Sequence, residues 1–203
     1  MLFLGPVYRY VQAQLEGRIN HWPLVRLIMY SLDKTLLYLA LFLLLRLGLK
    51  LLFHRRFDAW HEVKVILFSA YVILLLMLTV FRQWYYPWQL HFYWERPLSA
   101  INWTPLVNTF KLRLGSQIDL WYQSFGNVLW FIPFGFGLPS LRRTKIAAWR
   151  VVGWGLLLSL AIESLQFVLA SGVADIDDVI FNTIGTILGF GLWRLLSPRS
   201  RKR

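Results

Sequence analysis

Long apolar runs constrain the fold of this 203-residue chain more than any other feature of its sequence. A membrane-spanning helix needs about 20 mostly apolar residues, or somewhat fewer where basic side chains at its ends can reach the headgroups. Five runs meet this requirement, at about 35–53, 65–81, 120–141, 151–174 and 179–196. The sequence therefore predicts an all-α, polytopic membrane helical bundle of about five transmembrane helices.

The regions around these runs predict three further features. The third run contains Pro133 and Pro139, so we expect that span to be kinked or partly unwound. Residues 1–34 lack the charge order of a cleavable signal. Five spans place their scattered arginines outside, which favours an amphipathic segment on the membrane surface. The transmembrane domain then covers 35–196, and a basic tail covers 197–203.

Composition excludes several classes of protein. Hydrophobic residues make up 57% of the chain, and its net charge is +12. The Lys and Arg residues are grouped between the apolar runs rather than along one face, which indicates topology-setting charge and no nucleic-acid partner. Cysteine is absent, so disulfides and thiolate metal sites are excluded.

The grouped basic residues also predict the orientation in the membrane. With five spans, the connections at 54–56 and 142–145 and the C-terminal tail all lie on one side, which their charge marks as cytoplasmic. The acidic connection at 171–178 has no Lys or Arg and is then extracytoplasmic, as is the segment 82–119. That segment is rich in aromatic residues, which indicates either anchoring at the outer interface or a lipid-facing groove: Trp84, Tyr85, Tyr86, Trp88, Phe92, Tyr93, Trp94 and Trp103.

Polar residues at helical spacing mark the fourth and fifth runs. Ser159, Glu163 and Gln166 lie on one face of the fourth span. Asp178 and Asn182 begin a similar stripe on the fifth, which continues through a small-xxx-small pair, Gly185 and Gly189, that lets a neighbouring backbone approach closely. A short connection makes the two spans antiparallel neighbours, so we expect these faces to meet. Further polar candidates on the same side are Arg96, Asn102, Thr104, Asn108 and Asn127.

Acidic residues in an apolar setting are the strongest functional signal. A carboxylate within a spanning helix raises the free energy of membrane insertion by at least about 2.5 kcal/mol, so such a residue is a candidate for function. Three interpretations of them stay open. Glu163, Asp175, Asp177 and Asp178 together suit Mg²⁺ or Ca²⁺. Burial instead favours a neutral Glu163 that hydrogen-bonds Gln166 or Asn182. Finally, Glu163 is a candidate catalytic acid or base, or a proton carrier.

Three ordered motifs resemble the VanZ-like family of small bacterial membrane proteins. They are GNVLWFIPFGFGLP at 126–139, SLAIESLQ at 159–166 and DIDDVIFNTIGTILG at 175–189, and they are preceded by NWTP at 102–105. The resemblance covers about 65–196. The positions that match the family pattern are Asn127, Pro133, Gly135, Ser159, Glu163, Gln166, Asp175, Asp177, Asp178, Asn182, Gly185 and Gly189.

The resemblance implies a multi-pass protein of the bacterial cell membrane. The family takes its name from a teicoplanin-resistance protein, so lowered susceptibility to teicoplanin-type glycopeptides is a further expectation. We hypothesise that an outer-leaflet polar pocket binds a membrane lipid, a lipid-linked cell-wall precursor or a lipoglycopeptide. The ligand-binding candidates are Asn102, Asn127, Ser159, Glu163, Gln166, Asp178 and Asn182. The alternatives are a metal-assisted enzyme acting on an envelope lipid and a proton-coupled transporter.

Overall fold

The computed structural model describes residues 1–18, 21–54, 57–105, 117–142, 144 and 146–197, with only the backbone described for 117–124. In this part of the chain the ordered elements are six α-helices and two 3-10 turns, Pro87–Gln89 and Leu98–Ala100. Asn108, Arg143, Lys145 and nearly all of the basic tail lie outside the described residues. The chain divides into two compact units, 1–91 and 92–203.

The first unit contains α1 (Gly5–Leu15), α2 (Trp22–Leu52) and α3 (Ala59–Thr79). The helix α2 begins well before the predicted first span, so the expected surface segment at 1–34 includes α1 and the start of α2. Asp58 caps α3 by accepting a hydrogen bond from the His61 backbone N–H at 3.3 Å. Glu62 joins the two long helices, because it pairs with Arg46 at 2.7 Å and also with Lys50.

A buried charged residue on α2 holds the start of the chain. Asp33 is fully buried and accepts hydrogen bonds from the backbone N–H groups of residues 2–4 at 2.6–2.7 Å. It also accepts one from the Tyr85 hydroxyl at 2.5 Å. Burial, and then this bond to Asp33, raise the pKa of Tyr85. The adjacent Lys34, also fully buried, donates to the carbonyl of Phe81 at 2.5 Å, so both charges are satisfied within the unit.

The second unit contains α4 (Gln117–Ser140), α5 (Ala148–Val168) and α6 (Ile176–Leu196). Asp175 caps α6 by accepting a hydrogen bond from the Asp177 backbone N–H at 2.9 Å. The helix α4 runs without a break through Pro133, so of the two expected forms, kinked or partly unwound, the partly unwound one is not adopted. Proline removes a single i to i−4 bond, and packing against α6 supports the helix on both sides of that position.

Glycines bring α4 and α6 into direct backbone contact. A Cβ placed on Gly185 or Gly189 would overlap the carbonyl oxygen of Val128 or Ile132 on α4, and one on Gly135 would overlap the Thr186 carbonyl on α6. The sequence predicted a close approach at the small-xxx-small pair, and α4 is the helix that makes it. Glycine is required here because any side chain would separate the two backbones.

Four of the described helices are long and apolar enough to cross a membrane: α2, α3, α5 and α6. Together with the all-helical architecture of the described residues, they confirm the prediction of a membrane helical bundle. The helix α4 has sufficient length but is not among these four. A fifth crossing at 120–141 therefore stays a prediction.

Candidate functional site

The connection between α5 and α6 turns back so that Glu163 reaches the start of α6. Ala170 takes a positive φ of 50° just after α5 ends, and the chain then runs back toward Asp175. The Asp175 backbone N–H donates to Glu163 Oε2 at 2.9 Å. Glu163 is only 8% exposed, and this bond satisfies one of its oxygens inside the protein.

Asn102 ties the segment that precedes α4 to the start of α6. Its backbone N–H donates to the Ala174 carbonyl at 2.9 Å, and its carbonyl accepts from the Ile176 N–H at 3.1 Å, which forms an isolated parallel bridge. Its side-chain Nδ2 donates to Asp175 Oδ1 at 2.8 Å. Asn102, Glu163 and Asp175 therefore form one connected hydrogen-bond network.

Two further polar pairs join the helices below this network. Asn127 Nδ2 on α4 donates to Asp178 Oδ1 on α6 at 2.5 Å. Asn182 Nδ2, one turn further along α6, donates to Ser159 Oγ on α5 at 2.9 Å. The two polar stripes therefore meet, as their spacing predicts, although Glu163 bonds the backbone of Asp175 rather than either expected amide.

A pocket of about 190 Å³ opens beside the network. Its polar residues include Asn102, Glu163, Ser164 and Asp175. Most of the other lining residues are apolar: Leu98, Ile101, Leu160, Phe167, Val168, Ala174, Ile176 and Val179. The pocket therefore presents a polar group of atoms within a largely hydrocarbon surface.

The remaining predicted site residues lie outside the pocket lining. Asn127, Ser159, Asp178 and Asn182 join helices, and Gln166 is buried, 7% exposed. Ser164, Leu160 and Phe167, which sequence reasoning did not single out, do line the pocket. Their i, i+3, i+4 and i+7 spacing with Glu163 is the signal that would have found them.

The segment leading to the pocket is attached to the end of α5. Arg96 Nη1 donates to the Phe167 carbonyl at 2.7 Å, and its guanidinium lies 5.0 Å from the centre of the Phe167 ring. The Tyr93 backbone N–H donates to the Val168 carbonyl at 2.7 Å. These donors satisfy carbonyls at a helix C-terminus, which also attracts positive charge.

The aromatic residues predicted at the interface differ in exposure. Trp88 and Trp94 are 78% and 77% exposed, and their anchoring at headgroup level stays a prediction. Trp103 is also largely exposed, and it lines the pocket. Tyr85 is instead buried, and its hydroxyl donates to Asp33.

Three of the four carboxylates predicted as Mg²⁺ or Ca²⁺ ligands accept hydrogen bonds from protein groups. In the described ranges no three Asp, Glu, His or Cys side chains come together in a group that could hold a metal ion. Asp175 caps α6, Asp178 accepts from Asn127, and Glu163 accepts from the Asp175 backbone.

Comparison with known proteins gives a consistent result. The sequence profile of the VanZ/LLP1 family matches residues 68–197. Protein VanZ from Enterococcus faecium is 34% identical over 137 residues, which cover 68% of this chain and 77% of that protein. No solved structure matches the chain.

Proposed function

The chain belongs to the VanZ/LLP1 family, and we propose that this multi-pass membrane protein binds an amphiphilic molecule of the cell envelope in the pocket beside Glu163. The ligand is an envelope lipid, a lipid-linked cell-wall precursor or a lipoglycopeptide. Binding of a lipoglycopeptide lowers susceptibility to teicoplanin-type antibiotics, because the antibiotic held in the pocket is not available to its target.

The pocket lining is the observation that supports this proposal. Apolar side chains from α5 and α6 surround a small polar group formed by Asn102, Glu163 and Asp175. Ligand sites commonly combine an apolar lining with a few placed polar groups. An amphiphile would place its head against the polar group and its chain along the hydrocarbon surface.

Blocking the pocket tests this function. Ser164 is exposed and lines the pocket, so Ser164→Trp fills part of the volume without disturbing a buried residue. Ala161 is also exposed on α5 but does not line the pocket, so Ala161→Trp is the matched control. We expect the wild type to raise the minimum inhibitory concentration of teicoplanin in a susceptible host, Ser164→Trp to abolish that rise, and Ala161→Trp to retain it.

Three measurements accompany this comparison. Immunoblots of membrane fractions establish that both variants reach the abundance of the wild type. A glycopeptide without an acyl chain provides a second susceptibility test, and a lipoglycopeptide-binding site predicts no protection against it. Equal protection by the two tryptophan variants would contradict a role for the pocket.

The same proposal places the pocket in the outer leaflet, with the connection 171–178 outside and the C-terminus inside. The chain has no cysteine, so single cysteines report their own accessibility. Val173 is 66% exposed, whereas Ser171 is buried, which makes Val173→Cys the better probe of this connection. A membrane-impermeant maleimide added to intact cells should label Val173→Cys and should leave Thr144→Cys, on the connection between α4 and α5, unlabelled. The reverse pattern would refute the orientation.

A further inference from the structure

We propose that the end of the first unit at which α2 and α3 are joined binds an anionic phospholipid through the phosphate of its head group. The side chains that hold the phosphate are Arg46 and Lys50, which are bound to Glu62 and are here called, with it, the Glu62 ion group. This site lies in the first compact unit, so it does not depend on the function proposed for the pocket in the second.

Two cations share one carboxylate in the Glu62 ion group. Arg46 Nε donates to Glu62 Oε2 at 2.7 Å, and its Nη2 donates to Oε1 at 3.0 Å. Lys50 Nζ donates to the same Oε1, so the group keeps a net charge of +1. The three side chains are only 27%, 13% and 13% exposed. Because little water reaches this excess charge, an anion placed beside it is stabilised more than it would be in bulk solvent.

The sequence around the ion group adds to its positive charge. Residues 46–64 contain five Lys and Arg residues and two acids, which gives a net charge of +3 with His neutral. Both acids already have a role, because Glu62 bonds the two cations and Asp58 caps α3. The acids of this stretch therefore do not neutralise its basic residues.

The bonds to Glu62 use only part of the donor capacity of the two cations. A guanidinium has five N–H donors and an ammonium has three. Glu62 takes two from Arg46 and one from Lys50. The planar fork of arginine matches phosphate oxygens, and lysine binds them as a point charge. The pair therefore suits a phosphate, which has acceptors and negative charge.

The depth of the ion group matches that of a lipid phosphate. Arg46 lies six residues before α2 ends and Glu62 three residues after α3 begins, about 9 Å and about 5 Å along the helices. Both helices are long and apolar enough to cross a membrane, so these positions lie near the boundary between hydrocarbon and head groups. Basic pockets between spanning helices bind anionic head groups in other membrane proteins.

Exposed aromatic rings beside the cations supply the apolar part of the site. The Phe57 ring lies 4.2 Å from Lys50 Nζ and is 64% exposed. Trp60 is 69% exposed, and its ring lies 5.5 Å from Lys64 Nζ. Aromatic side chains are enriched where head groups meet hydrocarbon. A diacyl lipid can thus place its phosphate on the ion group and its chains against exposed apolar surface, which free phosphate cannot use.

Two lipids with the same acyl chains test this site: dioleoyl phosphatidylglycerol, which is anionic, and dioleoyl phosphatidylcholine, which is zwitterionic. Native mass spectrometry of the full chain in a neutral detergent measures their binding ratio. The whole chain has a net charge of +12, so it attracts any anionic lipid, and the variants compared must have equal charge. Lys50→Gln removes one positive charge and leaves both Arg46 bonds to Glu62. Arg9→Gln, an exposed position on α1, removes the same charge away from the site and is the matched control.

We expect the wild type to prefer phosphatidylglycerol and Lys50→Gln to lower this preference about fivefold, the contribution of one basic side chain near an anionic head group. Arg9→Gln should keep the wild-type ratio, and Lys50→Arg, which keeps the charge, should keep most of it. Glu62→Gln raises the charge of the ion group by one unit and should strengthen the preference, which a merely destabilised protein would not do.

Three results would overturn the proposal. Equal binding of the two lipids by the wild type would exclude recognition of an anionic head, and this comparison needs no variant to fold. Equal losses in Lys50→Gln and Arg9→Gln would show that net charge alone attracts the lipid. Displacement of phosphatidylglycerol by millimolar inorganic phosphate would assign the site to free phosphate instead of a lipid.

Discussion

The glycine contact between α4 and α6 gives the sharpest test of the fold. Alanine at Gly189 would place its Cβ in overlap with the Ile132 carbonyl oxygen and within 3.0 Å of the Phe136 backbone nitrogen. These are backbone atoms of a helix, so relief requires the two helices to move apart. Overpacking of this kind costs about 1–3 kcal/mol, and we expect Gly189→Ala to destabilise the protein.

A second glycine on the same helix isolates this cost. A Cβ on Gly191 meets no atom within 4 Å. Both substitutions gain the helix preference of alanine over glycine, about 0.5–1 kcal/mol, so that gain cancels between the two variants. The difference between Gly189→Ala and Gly191→Ala should therefore equal the overpacking cost of about 1–3 kcal/mol.

Reversible unfolding in mixed micelles, followed by circular dichroism as the fraction of denaturing detergent rises, measures this difference. Gly191→Ala should unfold at or above the wild-type midpoint, and Gly189→Ala should unfold below Gly191→Ala by the full overpacking cost of about 1–3 kcal/mol. Gly135→Ala approaches the contact from α4, where its Cβ would overlap the Thr186 carbonyl, and should match Gly189→Ala. Coincident transitions for Gly189→Ala and Gly191→Ala would refute the close backbone contact.

Three further predictions test other contacts by the same unfolding measurement. Asp33→Asn removes the negative charge of a side chain that accepts hydrogen bonds from three backbone N–H groups. We expect the free energy of unfolding to fall by about 1.5–3 kcal/mol. An unchanged unfolding midpoint would contradict the attachment of the N-terminus to α2. A double-mutant cycle of Ser159→Ala and Asn182→Ala should give a coupling energy of about 0.6 kcal/mol, the average for interhelical hydrogen bonds in a membrane protein; additive effects would show that the pair is not formed. Ala170→Gly should raise the free energy of unfolding by about 1 kcal/mol, because Ala170 has a φ of 50°. Ala161→Gly, within α5, should lower the free energy of unfolding by a similar amount. If both substitutions changed stability in the same direction, the positive φ of Ala170 would be excluded.

Much of the polar architecture follows from spacing alone. Ser159 and Asn182 lie at helical intervals on consecutive antiparallel spans, and the structure joins them by a hydrogen bond. The acidic connection predicts that Asp175 and Glu163 are near each other, since a short turn leaves them few alternatives. Helical periodicity and short connections are local properties, so the sequence is sufficient to predict these contacts.

Other features of the site depend on residues that are distant in the chain. Asn102 bonds to Asp175 across more than seventy residues, and no periodicity relates the two. Asp33 has the sequence context of an interfacial acid but is fully buried, because the N-terminal backbone supplies its donors. Long-range pairs such as these depend on how the elements pack, and local pattern does not specify packing.

The sequence by itself determined that this chain is a helical membrane protein of the VanZ/LLP1 family, with its acids between two antiparallel spans. Apolar run length and motif order carry that information, because each is a property of consecutive residues. Only the tertiary structure decided that α4 is the partner of Gly185 and Gly189, that Asn102 completes the acidic network, and that a largely apolar pocket lies beside Glu163. A pocket is the space left where separate segments meet, so it is defined by their packing and not by any one of them.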